Sequence, residues 1–274
     1  GKMKDAPQDL AVFGIKSLSI EGDVYLPSDG DFKQASSVWN KIGETPAAVI
    51  VVNRTEDVSL AIQWLRSHEV PFVIKSGGHN KAGYSSIGSD GVILSLVRLN
   101  IVEMVEEHDD HAIVRIGPVV HGPQIVHAFI DKGWGGVIGA CPTVAMGGFT
   151  LGGGYGWLSR KHGLACDNLV QATVVLASGD VVVTNECSHA DLLWALQGAG
   201  GGNFGVVTEM VYKLHPAQAT NLFGVIIMEQ EDAGDFLHAI SMMDQNQTLP
   251  RELSMIVEVI APSSDLASFT FPTG

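Results

Sequence analysis

Gly139-Ala140-Cys141-Pro142-Thr143-Val144-Ala145-Met146-Gly147-Gly148-Phe149-Thr150-Leu151-Gly152-Gly153-Gly154-Tyr155-Gly156 is the run whose reading decides the fold of this chain. So much glycine in one stretch carries a large ordering cost, because glycine surrenders more backbone freedom on folding than any other residue. A long segment without helix or strand character in a compact domain is usually functional or unstructured. Val144, Met146, Phe149, Leu151 and Tyr155 are apolar anchors along it, so order is expected. The loop is expected to wrap something flat and large. Taken alone, Cys141 has a bland alternative, since most free cysteines are small buried hydrophobes.

Two further glycine clusters flank this run. The chain's 32 glycines gather at 77–91, 133–156 and 198–205, between apolar runs rather than in a linker. Upstream stands Lys75-Ser76-Gly77-Gly78-His79-Asn80. Paired glycines after a strand bare several backbone N–H groups, a nest suited to a pyrophosphate. The run matches neither the dinucleotide fingerprint nor the P-loop, and a tight turn with a surface histidine is the plain alternative. Downstream stands Gly200-Gly201-Gly202-Asn203-Phe204-Gly205-Val206-Val207-Thr208. Its backbone could face a planar heterocycle, or it could be a turn before an edge strand.

Between the clusters the pattern alternates strands and helices. Residues 47–53 and 71–75 read as strands around a helix from Thr55, its expected cap, to about His68. Strands follow near 91–97, 101–107 and 111–117, then a helix over 122–132 that ends at Gly133. Residues 134–156 read as loop. A hairpin over 169–184, a helix near 189–197 with Ser188 as a possible cap, and a strand from Val206 to Leu214 complete this part, closed by Pro216. The remainder reads as a strand at 222–229, a helix near 232–244 and a strand at 252–260, too little for an independent fold.

Composition narrows the function. With 46% hydrophobic and 17% charged residues the chain of 274 can bury a full core. A net charge of −14 repels nucleic acid and anionic membrane surfaces, so neither is expected as a partner. Cys141, Cys166 and Cys187 are too few for a disulfide framework. No transmembrane run and no leader pattern is read. Asn53-Arg54-Thr55 and Asn246-Gln247-Thr248 are glycosylation triplets of a kind that arises by chance, which leaves the compartment open.

Taken together and in order, the motifs resemble the FAD-binding domain of the vanillyl-alcohol oxidase and p-cresol methylhydroxylase (PCMH-type) superfamily, most of all its berberine-bridge-enzyme-like branch. The match runs from about residue 45 to 216. It includes Arg54-Thr55-Glu56-Asp57-Val58, Ser76-Gly77-Gly78-His79, the Cys141 loop, Ser159-Arg160, His162-Gly163-Leu164, Asp167-Asn168 and the Gly201–Thr208 segment. The resemblance implies an α+β fold: a PCMH-type FAD-binding domain of two α/β subdomains over residues 1–216, then the incomplete start of an α+β substrate-binding domain over 217–274.

It also implies roles. His79 would bond to the flavin 8α-methyl and Cys141 to flavin C6, so the cofactor is FAD held twice. Ser76, Gly77, Gly78 and Asn80 would hold the pyrophosphate. Gly83, Tyr84, Gly147, Gly148, Gly153, Gly154, Gly156 and Gly205 would line the cofactor, and the Val207 backbone would meet the pyrimidine edge of the ring. Tyr155 would lie by the active site. Val144, where a larger residue would hinder oxygen, implies an oxidase that forms hydrogen peroxide.

Phe149 stands where some relatives carry histidine, which removes one source of positive charge near reduced flavin. The substrate domain that would supply the catalytic base continues, in the family, past residue 274. An alcohol, a sugar or a natural product is the expected substrate, with O2 as acceptor. A flavin-binding module without turnover of its own, completed by a partner chain or a second copy, is the competing expectation. A glycine-rich binding domain without flavin is the weakest, given the motif order.

Overall fold

The computed structural model describes residues 14–40, 45–217 and 221–257. The chain falls into two units, residues 1–219 and 220–274.

The first sheet grows from short β-branched runs. β1 (Asp23–Tyr25) is followed by α1 (Phe32–Ala35), β2 (Ala48–Val51), α2 (Thr55–Ser67), β3 (Phe72–Lys75) and β4 (Val92–Ser95). The order is β1-β2-β4-β3, with β1 antiparallel to β2 and β4 parallel to both β2 and β3. Ile50 and Ile74 both stand opposite Leu94. Every residue of β2 and β4 is buried, as parallel strands covered on both faces require.

α2 turns Val58, Ala61, Ile62 and Leu65 into one core with Ile50, Leu94, Val175 and Val206. Its start differs from expectation. Thr55 is not the cap; Arg54 holds that position with extended backbone and no side-chain cap bond. The Thr55 hydroxyl instead donates to Thr208 Oγ1 at 2.9 Å. Asp57 serves the nearby donors. Its buried carboxylate accepts the N–H groups of Glu21, Gly22 and Asn53 at 3.0, 3.1 and 2.9 Å. One carboxylate has lone pairs for several donors, which a hydroxyl cannot match.

The second sheet is antiparallel. It collects β5 (Val102–Glu107), β6 (Ala112–Ile116), α3 (Gly122–Phe129), β7 (Trp134–Gly135), α4 (Met146–Leu151), α5 (Ser159–His162), β8 (Leu169–Val175), β9 (Val181–Asn185), α6 (Ala190–Leu196) and β10 (Val206–Pro216) with their connections. The strand order is β5-β6-β10-β8-β9, and β7 also pairs with β10. β10 is therefore central, which removes the reading of an edge strand after Gly205. Ile116, Ile125, Met146, Leu169, Met210 and Leu214 are fully buried in its core. α3 ends in a 3-10 turn and Gly133 at φ 84°, the expected glycine stop.

Two other expectations are corrected. Residues 134–156 are not all loop, because α4 covers Met146–Leu151 despite its paired glycines. Met146 and Leu151 reach the core, and that burial outweighs the helix cost of glycine. Ser188 is not the cap of α6; His189 occupies the position at φ 48°.

In the second unit, α7 (Ala233–Gln245) matches the expected helix. The run 222–229 is not a strand, and neither is 252–257, while 258–260 lies outside the described residues. A strand needs a partner for its backbone groups, and none stands beside these runs among the described residues. No helix among the described residues is long and apolar enough to cross a membrane.

Candidate functional site

The loop after β3 is built by what it leaves unpaired. Gly78 sits at φ 70°, a conformation that suits glycine, and its carbonyl accepts the Trp39 N–H at 2.9 Å. Among the described residues, the N–H groups of Gly77, Gly78, His79 and Asn80 find no backbone acceptor. Consecutive bare N–H groups on a glycine turn suit a phosphate or diphosphate. Beneath the loop, Lys75 is buried and donates to the Ala35 carbonyl at 2.7 Å. Burial pulls its ammonium below the usual lysine range.

The Cys141 loop lies directly against it. Pro118 joins the two: its carbonyl accepts the Ser76 hydroxyl at 2.5 Å and the Gly147 N–H at 2.8 Å. A Cβ on Gly77 would stand 2.6 Å from Ala145 Cβ, and one on Gly147 would stand 2.9 Å from Ser76 Oγ. The loops interlock closely enough that glycine is required at both positions.

At this seam the two nucleophiles meet. His79 Nε2 lies 2.8 Å from Thr143 Oγ1, across 64 residues of sequence. Cys141 Sγ lies 3.3 Å from the same oxygen. The Trp39 ring stacks on the His79 ring, centroids 5.6 Å apart and planes 21° apart. Cys141 is exposed, which overturns its reading as a buried hydrophobe; Cys166 is the buried one. The Thr143 hydroxyl, helped by nearby backbone hydrogen bonds, holds the Cys141 thiol below its ordinary range. The site thus sets a thiol, displaced toward its ionised form, beside a histidine ring.

The other sequence candidates take varied places. Asn80 accepts the Tyr84 N–H at 3.0 Å through Oδ1, and Gly83, at φ 80°, donates to the Asn80 carbonyl. Tyr84 and Tyr155 are exposed, and Val144 is half-buried. Around Gly148 nothing lies within 4 Å of a Cβ position. Gly153 and Gly154 have φ of 101° and 79°. A Cβ on Gly154 would meet Ala165 Cβ at 2.6 Å and the Phe149 ring at 2.8 Å, so Phe149 fills the space beside it. A Cβ on Gly156 would land on the Ile138 carbonyl.

Gly205 and Val207 form a separate group. Gly205 has φ 143°, and Val207 is buried and followed by an irregularity in the β10–β8 pairing. Among the described residues no hydrogen bond joins them to His79 or Cys141. Trp39, Lys75, Pro118 and Thr143 were not singled out from sequence. Lys75 and Thr143 had a signal, one at the head of the first glycine motif and the other two residues after Cys141.

The turn after α5 is organised by a polar knot. Asn168 Nδ2 donates to the His162 and Leu164 carbonyls at 3.0 and 2.8 Å. Its Oδ1 is therefore an acceptor, and His215 Nε2–H donates to it at 2.6 Å. The His162 and His215 rings stack at 3.8 Å. Burial, together with His162, Lys213 and His111, brings His215 down to about 4.

Comparison with known proteins places this geometry. The FAD binding domain family matches residues 46–185. Glucooligosaccharide oxidase of Sarocladium strictum is 36% identical over 230 residues, 81% of this chain and 44% of that protein. (R)-6-hydroxynicotine oxidase of Paenarthrobacter nicotinovorans is 34% identical over 210 residues, 76% of this chain and 45% of that protein. A solved glucooligosaccharide oxidase of Acremonium strictum, described with a 6-S-cysteinyl, 8α-N1-histidyl FAD, superposes with a TM-score of 0.74 at 28% identity. It covers 92% of this chain, which covers 51% of it. The chain thus spans about half the length of the relatives it matches. With the family match extending from β2 to the end of β9, and with both glycine loops inside it, the chain belongs to the FAD binding domain family of the PCMH-type flavoproteins.

Proposed function

We propose that this chain carries FAD covalently attached through His79 and Cys141, as the cofactor-binding part of an oxidoreductase that takes hydride from an alcohol, a sugar or a natural product. The observation that carries this reading is the meeting of His79 and Cys141 at one hydroxyl. The 8α-methyl and C6 lie close together along one edge of the flavin ring, so two nucleophiles side by side match two neighbouring attachment points. When bound, the flavin supplies the two-electron acceptor.

In this reading Ser76, Gly77, Gly78 and Asn80 form the pyrophosphate cradle, in which backbone N–H groups do the binding. The Ser76 hydroxyl and the Asn80 Oδ1 are already committed within the loops. Gly83, Tyr84, Gly147, Gly148, Gly153, Gly154, Gly156 and Gly205 line the cofactor, and the Val207 backbone meets the pyrimidine edge of the ring. Tyr155 faces the substrate, and Val144 leaves room for O2, with hydrogen peroxide as the second product. Sugar or oligosaccharide oxidation is the favoured chemistry, given the glucooligosaccharide oxidases among the relatives. Residues 217–274 then begin the substrate-binding domain.

The test is the colour of the acid-precipitated protein. Yellow flavin that stays with the polypeptide supports attachment. Replacing His79 and Cys141 singly should retain it, and the double variant should release it. A chain that binds no flavin, even after reconstitution, sinks the proposal. A peroxide-coupled screen of alcohols and sugars separates catalysis from a flavin-binding module that needs a partner chain.

A further inference from the structure

We propose that Thr143 is the positioning residue for both flavin attachments, its single hydroxyl orienting His79 and Cys141 at once. This rests on the attachment reading above and adds to it the group that prepares the nucleophiles.

The argument is one of proton accounting. A hydroxyl has one proton to donate and two lone pairs to accept with. Thr143 Oγ1 lies within reach of both His79 Nε2 and Cys141 Sγ. It cannot donate to both. Donation to Cys141 favours the thiolate, the form that attacks. The hydroxyl must then accept from His79, which requires a proton on Nε2. That tautomer leaves the lone pair on Nδ1, so Nδ1 is the attacking atom. Trp39 stacked on the ring limits the directions in which that nitrogen can point.

The same two hydrogen bonds thereby set the charge of one nucleophile and the tautomer of the other. The direction in which the Cys141 thiol is displaced, with the Thr143 hydroxyl as its largest cause, agrees with donation to sulfur.

The chemistry balances with dioxygen as oxidant. Each attachment joins Nδ1 or Sγ to a flavin carbon, with loss of one hydrogen from each partner. The two electrons and two protons released reduce one O2 to hydrogen peroxide. The His79 proton leaves from Nε2 to water once Nδ1 has bonded.

The experiment uses the full chain produced without flavin, folded by circular dichroism, and its Thr143→Val and Thr143→Ser variants. Alkylation of Cys141 by iodoacetamide is followed peptide by peptide against pH, which separates it from Cys187. Thr143→Val should shift the profile upward by about one pH unit, about a tenfold slower reaction near neutrality. Thr143→Ser should restore it. FAD is then added in air, and covalent flavin is read by fluorescence of the denatured polypeptide. Thr143→Val should attach about tenfold more slowly at both positions, resolved in the His79→Ala and Cys141→Ala backgrounds.

If valine disturbs the turn, Thr143→Ala provides the same readings. Wild-type chain that never acquires covalent flavin overturns attachment and Thr143 role together. Wild-type chain that does, with Thr143→Val equally fast and its alkylation profile unmoved, overturns the Thr143 role alone.

Discussion

The loops at 76–80 and 139–156 are both rich in glycine, yet they use their backbones differently. The first leaves the N–H groups of Gly77 to Asn80 without backbone acceptors among the described residues. In the second, four glycine donors find partners inside the loop or beyond it: Gly147 on Pro118, Gly152 on Gly148, Gly153 on Thr150 and Gly156 on Ser159 Oγ. In the proposed reading the first receives acceptors from outside. The second is a packed wall that holds Cys141, Thr143 and Val144 in place beside it. Glycine content alone would rank the longer loop as the ligand cradle. The four consecutive open N–H groups at 77–80 support that part for the shorter one, in the reading proposed above.

The comparison can be broken hardest at Gly156. A Cβ there meets the Ile138 carbonyl, a backbone atom that cannot swing aside. Gly156→Ala should cost more than about 3 kcal/mol by urea denaturation, or yield no folded chain. An unchanged midpoint would show that the wall is looser than described. Asp57 sharpens the contrast between donors left open and donors paired by a side chain. Asp57→Ala strands the N–H groups of Glu21, Gly22 and Asn53. It should cost about 2–3 kcal/mol in the same measurement, because three donors lose the one buried carboxylate they share.

A smaller effect lies just past the second loop, where His215 ties the turn after α5 to β10. His215 titrates near 4 in the fold, below the ordinary 6.5. A base with a depressed folded value is better protonated when unfolded, so its contribution is complete above about 6.5. That contribution drains away as the pH falls toward 4, and unfolding becomes easier through the window. His215→Gln should flatten the slope of the unfolding midpoint between pH 6.5 and 4. A slope identical to wild type would count against the His215–Asn168 knot as its source. The smallest effect belongs to Gly148, whose Cβ position is open and lies within α4. Gly148→Ala should leave the flavin-free chain unchanged or up to about 1 kcal/mol more stable. A loss would mean that this part of the wall also packs against protein.

Much of the first unit was legible from sequence. The runs 47–53 and 71–75 became β2 and β3, and the β5–β6 and β8–β9 hairpins stand where alternation and polar turns put them. Short β-branched runs bounded by turn residues carry their own local signal. Misreadings came where long-range contacts overrule local preference. Met146-Gly147-Gly148 folds as helix because Met146 and Leu151 are drawn into the core. Thr55 turns to Thr208, 153 residues away, instead of capping its helix. The apolar runs at 222–229 and 252–257 carry strand chemistry, yet strands are pairs and these runs are without one among the described residues.

By itself, the sequence determined the flavin-binding family, because the order and spacing of three glycine segments survive without any knowledge of contacts. It also nominated His79 and Cys141, by resemblance and not by local chemistry. Only the tertiary structure decided that both reach one hydroxyl, that the Pro118 carbonyl clasps the two loops, and that Gly77 to Asn80 present consecutive open donors. Those facts depend on groups far apart in the chain. A pattern read along the sequence contains spacing, while a hydrogen bond between residues 79 and 143 exists only after the fold has brought them within reach.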